Sequence, residues 1–552
     1  MSETAKIFVA RKILTLNPDC PEATHVAVRE GRILAVGTAE EMAGWNLPVD
    51  HQFADKVLLP GFVEAHGHAM CGESWRYTYL GFDDQYDPAG QCWPGVQNRQ
   101  QALVRLQAAD AKLTDPKTPL IAWHYDPIFW SEQGQLLDCH ALDRVSKTRP
   151  ILVMHASGHV INVNSALLAM ANLDESLSVE GLIKDANGRL TGELRDLATQ
   201  FAVLRVVGNP LIGEVDLDIL QQYARLATNV GVTTASELYA SLDDESLQSY
   251  RDAAASDAIP LRFYAAQNAE TLSIEQGIER LQLARRACNE KLHLGSCKLI
   301  VDGSIQSFTA RLAWPGYHNQ AANGAWKQPP QLMAQMIREY HQAGVQLHIH
   351  VNGDQATELV LDILEDVLAD APRADHRHTL QHCQMASEAQ YRRMARLGLC
   401  VNLFSNHLYY WGDQHSALTV GPARAKRMNA AASALRHGVP LAIHSDAPVT
   451  PLNPLFSAWC AVNRTTRSGM ILGEAQKITV PQALHALTLG AAYTLKLDHL
   501  VGSIEVGKFA DFAVLEDDPL KVAAQDIKDI SVWGTVLAGV PHRAAKEQAS
   551  EH

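Results

Sequence analysis

Leu59-Pro60-Gly61-Phe62-Val63-Glu64-Ala65-His66-Gly67-His68 places two imidazoles two residues apart at the end of an apolar run. In an extended strand, residues i and i+2 point to one face, so both rings can reach a single metal ion. A His-x-His pair alone is common. Its weight comes from further candidate ligands, each at or near the end of its own short apolar run: Lys298, His350, His382 and Asp446. The pattern reads as a metal centre ringed by strands.

Moving outward, β-rich runs recur at Leu58 to Val63, Val232 to Ser236, Leu261 to Ala266, Cys297 to Val301, Val345 to His350, Thr379 to His382, Cys400 to Phe404 and Leu441 to His444, separated by helical patterns or long connections. Eight such runs predict an α/β fold, a (β/α)8 TIM-like barrel, whose active site lies at the carboxyl ends of the strands where these ligands fall. The connection from about residue 70 to 230 is too long for one crossover helix and predicts an inserted subdomain. Its Trp93, Trp123 and Trp130 either roof the barrel mouth or pack in a core. Both ends of the chain read as β, from Lys6-Ile7-Phe8-Val9 at the start to Val532 to Val540 near the end. They predict a small β-sandwich built from both termini. The expected division is residues 1–57 for its first part, 58–500 for the metal-dependent barrel with its insertion, and 501–552 for its second part and tail.

The 552 residues, 47% hydrophobic, suffice for a large core. The net charge of -14 is spread along the chain without a Lys/Arg-rich block, which argues against nucleic acid or an anionic membrane and for a small-molecule substrate. No apolar run approaches membrane-spanning length and the first residues lack the pattern of a secretory signal, so a cytoplasmic location is expected. Nine cysteines without a Cys-x-x-Cys pair fit reduced thiols better than a disulfide framework or a thiolate zinc site.

Imidazole and carboxylate donors suit Zn²⁺, with Mn²⁺ or Fe²⁺ behind it, and the lack of thiolates points to a catalytic site with a position open to water. Such an ion lowers the pKa of water from about 15.7 to roughly 7, which makes hydrolysis the natural chemistry. Asp446, in His444-Ser445-Asp446-Ala447-Pro448, is placed to ligate and also to serve as general base. Lys298 is a poor ligand as an ammonium. With its pKa depressed, the amine can take up carbon dioxide and become an anionic carbamate bridging two ions, so the site holds one or two metals. The alternative is that Lys298 pairs with Asp302 or reaches solvent.

Together, the His-x-His after Pro-Gly-Phe, Lys298-Leu299-Ile300-Val301-Asp302-Gly303-Ser304, His350-Val351-Asn352-Gly353-Asp354, His382-Cys383-Gln384 and Ser445-Asp446-Ala447-Pro448 resemble the amidohydrolase superfamily. They are most similar to its YtcJ-like branch, which includes N-substituted formamide deformylases. The resemblance covers nearly the whole chain, with Gly502 to Lys508 and Ala510-Asp511 similar to the family's return into its sandwich. It implies His66, His68, His350, His382 and Asp446 as metal ligands and Lys298 as the carboxylated bridge. Many relatives carry Arg where Phe308 stands and Asp where Ser157 stands, so substrate identity does not transfer with the chemistry.

Of the 24 histidines most are structural. His348 and His444 read as packed, hydrogen-bonded interior residues, and His378 as lying at the far end of the sixth strand. His159 and His407 fall in loops expected near the mouth, where each can hold a carbonyl oxygen or orient a substrate. The leading expectation is hydrolysis of a linear C–N bond in an amide or formamide. A ring-amidine deaminase is the second reading, against which stands the absence of a Glu shortly after His350. A regulatory or binding protein on the same scaffold is the third. By analogy with other barrel hydrolases, a homodimer is expected.

Overall fold

The computed structural model describes residues 5–130, 136–179, 181–195, 197–208 and 215–545; the expected tail beyond 545 lies outside them. The chain divides into two compact units, the first made of residues up to 69, 216–447 and 452–545, the second of 70–215 with 448–451.

The first unit contains eight parallel strands in sequence order: β1 (Phe62–Glu64), β2 (Val232–Ala240), β3 (Arg262–Asn268), β4 (Leu292–Ile300), β5 (Gln346–Val351), β6 (Thr379–His382), β7 (Cys400–Leu403) and β8 (Leu441–Ile443). No strand ladder joins β8 to β1. Just beyond their carboxyl ends the seam is bridged by backbone: the Asp446 N–H donates to His66 O (3.1 Å) and the His68 N–H to Ala447 O (2.9 Å). Three of the crossover helices start on side-chain caps that accept otherwise unsatisfied N–H groups, at Asp243, Ser273 and Ser387.

Alternation along the strands shows which side chains enter the barrel. In β5, Leu347, Ile349 and Val351 alternate with Gln346, His348 and His350, all buried. The polar set meets polar side chains of neighbouring strands: Tyr264 bonds His348 (3.0 Å), His348 bonds Gln381 (2.9 Å), and Asn402 donates to Gln381 (3.0 Å). Below the strand ends these side chains form a hydrogen-bonded layer, in which Tyr264, His348, Gln381 and Asn402 each find a partner.

Strands from both ends of the chain join one seven-stranded sheet, in the order Val540–Arg543, Val532–Leu537, Phe512–Leu515, Val49–Pro60, Lys6–Leu14, Glu22–Arg29, Arg32–Gly37. Phe8, Val26, Phe53, Phe512 and Val536 share its core. The run expected as the first barrel strand is thus split: Leu58 to Pro60 complete a strand of this sheet, and β1 starts at Phe62. The chain passes between them at Gly61, where a Cβ would lie 1.9 Å from Thr233 Oγ1, so no side chain fits.

The second unit is built on a six-stranded sheet that includes Leu120–Tyr125 and Ile151–His155. Ile121, Trp123, Leu152 and Met154 face one core and Leu120, Ala122, Ile151 and Val153 another, as period-2 alternation requires. Of the tryptophans considered as a roof, Trp123 and Trp130 are core residues of this unit, and Trp93 packs partly buried against the same core as Trp123.

Two interactions of the first unit yield tests. Arg262 at the start of β3 makes a two-pronged bond to Asp511 (2.5 and 3.1 Å), both side chains buried, and lies 3.6 Å over the Phe509 ring. Asp511 also accepts from the Ala538 N–H (2.7 Å). Asp511→Asn strands the guanidinium in the interior and is expected to cost roughly 3–5 kcal/mol in chemical denaturation; a loss below about 1 kcal/mol would contradict this account of the clamp.

At the amino end of β6, His341, His376 and His378 use every ring nitrogen as neutral imidazoles. His378 Nδ1 accepts from the Leu347 N–H (3.0 Å) and its Nε2–H donates to His341 Nδ1 (2.8 Å), whose Nε2–H donates to Ala371 O (2.8 Å). His376 accepts from the His378 N–H (3.0 Å) and donates to Leu397 O (2.9 Å). Burial lowers the pKa of all three, that of His378 furthest. The unfolded chain therefore takes up protons first, so this stability is complete above about pH 6.5 and lost as pH falls below it. The thermal midpoint should drop between pH 7.5 and 5.5, and by less in His376→Gln; equal drops would exclude His376 as a source.

Candidate metal centre

β1 ends at Glu64, so His66 and His68 lie in the loop after it and do not alternate along a strand as expected. They converge through the seam bonds to the chain following β8. His66 Nε2 is 3.4 Å and His68 Nε2 3.3 Å from Asp446 Oδ1. That oxygen is buried without an aligned hydrogen-bond donor among the described residues. Glu64 fixes the spacing, its carboxylate accepting from the His66 N–H (3.3 Å), the Ser445 N–H (3.2 Å) and the Ser445 hydroxyl (2.8 Å).

Each imidazole is oriented from behind. His66 Nδ1–H donates to Gln381 Oε1 (2.7 Å), which turns the lone pair of Nε2 toward Asp446 and Lys298. His68 Nδ1–H donates to Glu237 Oε1 (2.9 Å), and Glu237 is held by the N–H groups of Ala69 (2.6 Å) and Tyr239 (2.7 Å). His444 Nδ1–H donates to Asn402 Oδ1 (3.0 Å), leaving its Nε2 3.0 Å from His382 Nδ1. Metal ligands are commonly supported in this way, because the outer bond fixes tautomer and ring orientation.

Two overlapping groups have donor atoms within 4.8 Å of one another: His66, His68 and Asp446; and His66, His382 and His444. His444, expected as interior packing, is thus brought among the candidate ligands. His350 falls in neither group; its ring centroid is 4.5 Å from that of His382, and its Nε2 is 3.3 Å from Gly303 O and 3.1 Å from Asn352 Nδ2. Lys298 is buried with Nζ 3.0 Å from His66 Nε2. No carboxylate among the described residues forms an ion pair with it. Asp302, the alternative partner, instead accepts from the N–H groups of Arg311, Asn352 and Gly353 (each 2.9 Å).

Burial, reinforced by neighbouring positive charge, holds His66 and His382 well below the usual imidazole range, so both are neutral donors near pH 7. Burial acts the same way on His68, but Glu237 and Asp446 outweigh it and raise it to about 9. Burial lowers Lys298 to about 8. His382 (φ 65°) and Asp446 (φ 54°) both have left-handed backbone, at a cost of about 1–2 kcal/mol for a side-chain-bearing residue. Such strain gathers at functional sites, where the fold compels a geometry that local preference resists.

His407 is buried with its ring 4.5 Å from that of Phe404, which lies 4.9 Å from His444 and 5.8 Å from His382. His159 belongs to the second unit, where its backbone bonds Ser157 Oγ and Gln200 Nε2. Phe308 packs on Tyr317 (5.2 Å). Glu237, Gln381, Glu64 and Asn402 are contributors that sequence reading missed. The available signal was a polar residue inside an otherwise buried strand, as with Glu237 in Val232–Ala240.

A barrel with imidazoles and a carboxylate converging at the carboxyl ends of its strands is the architecture of metal-dependent hydrolases. Residues 54–542 match the amidohydrolase family, and the chain belongs to it. Among curated proteins it is similar to Protein LONG AFTER FAR-RED 3 of Arabidopsis thaliana (26% identity, covering 96% of this chain and 89% of the relative). It is also similar to the putative amidohydrolase YtcJ of Bacillus subtilis (25%; 96% and 97%) and to the N-substituted formamide deformylase of Arthrobacter pascens (25%; 94% and 94%). Among solved structures it shares its fold with an uncharacterized metal-dependent hydrolase of Pyrococcus horikoshii, with TM-score 0.70 and 18% identity over 94% of this chain and 99% of that one.

The contact behind His68 is directly testable. Glu237→Ala frees the His68 ring, and zinc affinity measured by chelator competition should fall about 10–100-fold. Undiminished affinity would mean that His68 needs no support from Glu237.

Proposed function

We propose that this protein is a metal-dependent hydrolase of a linear, non-peptide C–N bond in a small amide or formamide. The observation that carries the reading is the convergence of His66 Nε2, His68 Nε2 and the buried, unsatisfied Asp446 Oδ1. Two imidazole nitrogens around an anionic oxygen suit a divalent cation, which would displace the His68 proton on binding, and the N/O set without thiolate favours zinc. His66, His68 and Asp446 would hold one ion, with His382 and His350 as ligands of a second. Lys298 would bridge them as a carbamate, a role favoured by its burial, by the absence of an ion-pair partner among the described residues and by the lowered pKa, which raises the share of neutral amine. When bound, such an ion acidifies water toward pKa ~7 and polarises a carbonyl.

The protein's own groups supply the rest. Asp446 is ionised, because His68, with His444 and Lys298, outweighs the effect of burial and lowers its pKa, so its carboxylate can accept the proton of the attacking water and pass it to the leaving nitrogen. Gln381 and Glu237 keep the two imidazoles in the ligating tautomer throughout. His407, beside Phe404, is suited to hold the carbonyl oxygen. The similarity to a relative named N-substituted formamide deformylase supports a formamide as the first substrate class to try.

The test is turnover of an N-substituted formamide panel by protein loaded with zinc, stripped by chelation and reloaded. Activity should follow the metal, and Asp446→Asn should lose roughly 10²–10⁴-fold in kcat while still folding. Metal bound without turnover across amides, formamides and ring amidines would replace this reading with that of a binding protein.

A further inference from the structure

After β7 the chain makes a helical turn at His407–Tyr410, another at Gly412–Gln414, and then a π-helical turn at His415–Thr419. Single π turns are rare and gather at functional sites. This one carries a chain of side-chain hydrogen bonds that ends on His407. His407 Nδ1 is 3.1 Å from His415 Nε2, and His415 Nδ1 is 2.8 Å from Thr419 Oγ1; all three residues are buried.

The direction of the chain follows from its closed end. The Thr419 hydroxyl is fully buried and its only partner among the described residues is His415 Nδ1. Its single proton must therefore point there, because the opposite arrangement leaves a buried O–H with no acceptor. His415 Nδ1 is then an acceptor, and its proton sits on Nε2 and is donated to His407 Nδ1. His407, with Nδ1 accepting, carries its own proton on Nε2. That nitrogen makes no hydrogen bond to any described residue. The ring is clamped between Phe404 (4.5 Å) and Trp411 (4.4 Å) and stacks parallel to His415, 11° between planes.

We infer that Thr419 and His415 are positioning residues that lock His407 as a neutral imidazole with its proton on Nε2, making it a hydrogen-bond donor to an oxygen of the substrate and not a base. This rests on the hydrolytic reading above and deepens it: the substrate must offer an acceptor oxygen, as an amide or formamide carbonyl does, and the donor gains strength as charge develops on that oxygen. Doubly protonated His407 would set an N–H against the His415 N–H, so the chain resists that state as long as the Thr419 proton holds its direction.

Two measurements on the full, zinc-loaded chain decide it. Neutron diffraction from deuterium-exchanged crystals should show deuterium on His407 Nε2, on His415 Nε2 and on Thr419 Oγ1 directed at His415. Deuterium on His407 Nδ1 overturns the inference whatever the protein hydrolyses. With N-butylformamide as substrate, Thr419→Val should lower kcat about tenfold or more with KM little changed, less than the 10²–10³-fold typical of losing an oxyanion donor outright, and Thr419→Ser should restore it. If the Ser variant is as slow as the Val variant, the γ-methyl and not the hydroxyl matters and the inference fails. If N-butylformamide is not turned over at all, the functional reading is at fault and the neutron result still decides the tautomer.

Discussion

A carboxylate oxygen taken out of water without an aligned donor is among the least tolerable groups in a protein interior, and Asp446 Oδ1 is such an atom. Its nearest nitrogens are two histidine Nε2 atoms whose other nitrogens are committed to Gln381 and Glu237. The arrangement makes electrostatic sense around a cation. The strained backbone at Asp446 and His382, the seam between β1 and β8, and the hydrogen-bonded barrel interior all hold that oxygen and those nitrogens at one place.

The barrel interior explains how such a site can be precise. An apolar core would pack well but could not dictate which nitrogen of an imidazole carries its proton. The layer formed by Tyr264, His348, Gln381 and Asn402 does so through fixed donors and acceptors. The helix-facing residues of the same strands supply the hydrophobic burial that stabilises the fold. Each barrel strand thus carries stability on one face and chemical specification on the other, as period-2 geometry permits.

Much of this was legible in the chain. The eight strands lie close to the apolar runs read from the sequence, and Thr379–His382 coincides with its run, because parallel strands buried on both sides must be short, continuous and bounded by polar turns. The first run was misdivided at Gly61, since Leu58 to Pro60 and Phe62 to Glu64 are equally apolar and only their pairing partners distinguish the two sheets. Among the site residues, His66, His68 and Asp446 lie with donor atoms close together. By sequence His444 reads as interior packing because it precedes Asp446 by two positions, and nothing local shows that its Nε2 points at His382.

The sequence by itself determined the fold class and the kind of chemistry, because strand periodicity and the types of donor side chain are local properties that survive without a structure. Only the tertiary structure decided which nitrogens face one another, that Glu237 and Gln381 stand behind the ligands, and that Asp511 clamps the terminal sheet to β3 through Arg262. Those relations join residues hundreds of positions apart. Their energies depend on distances of a few ångström and on burial, which no linear spacing encodes.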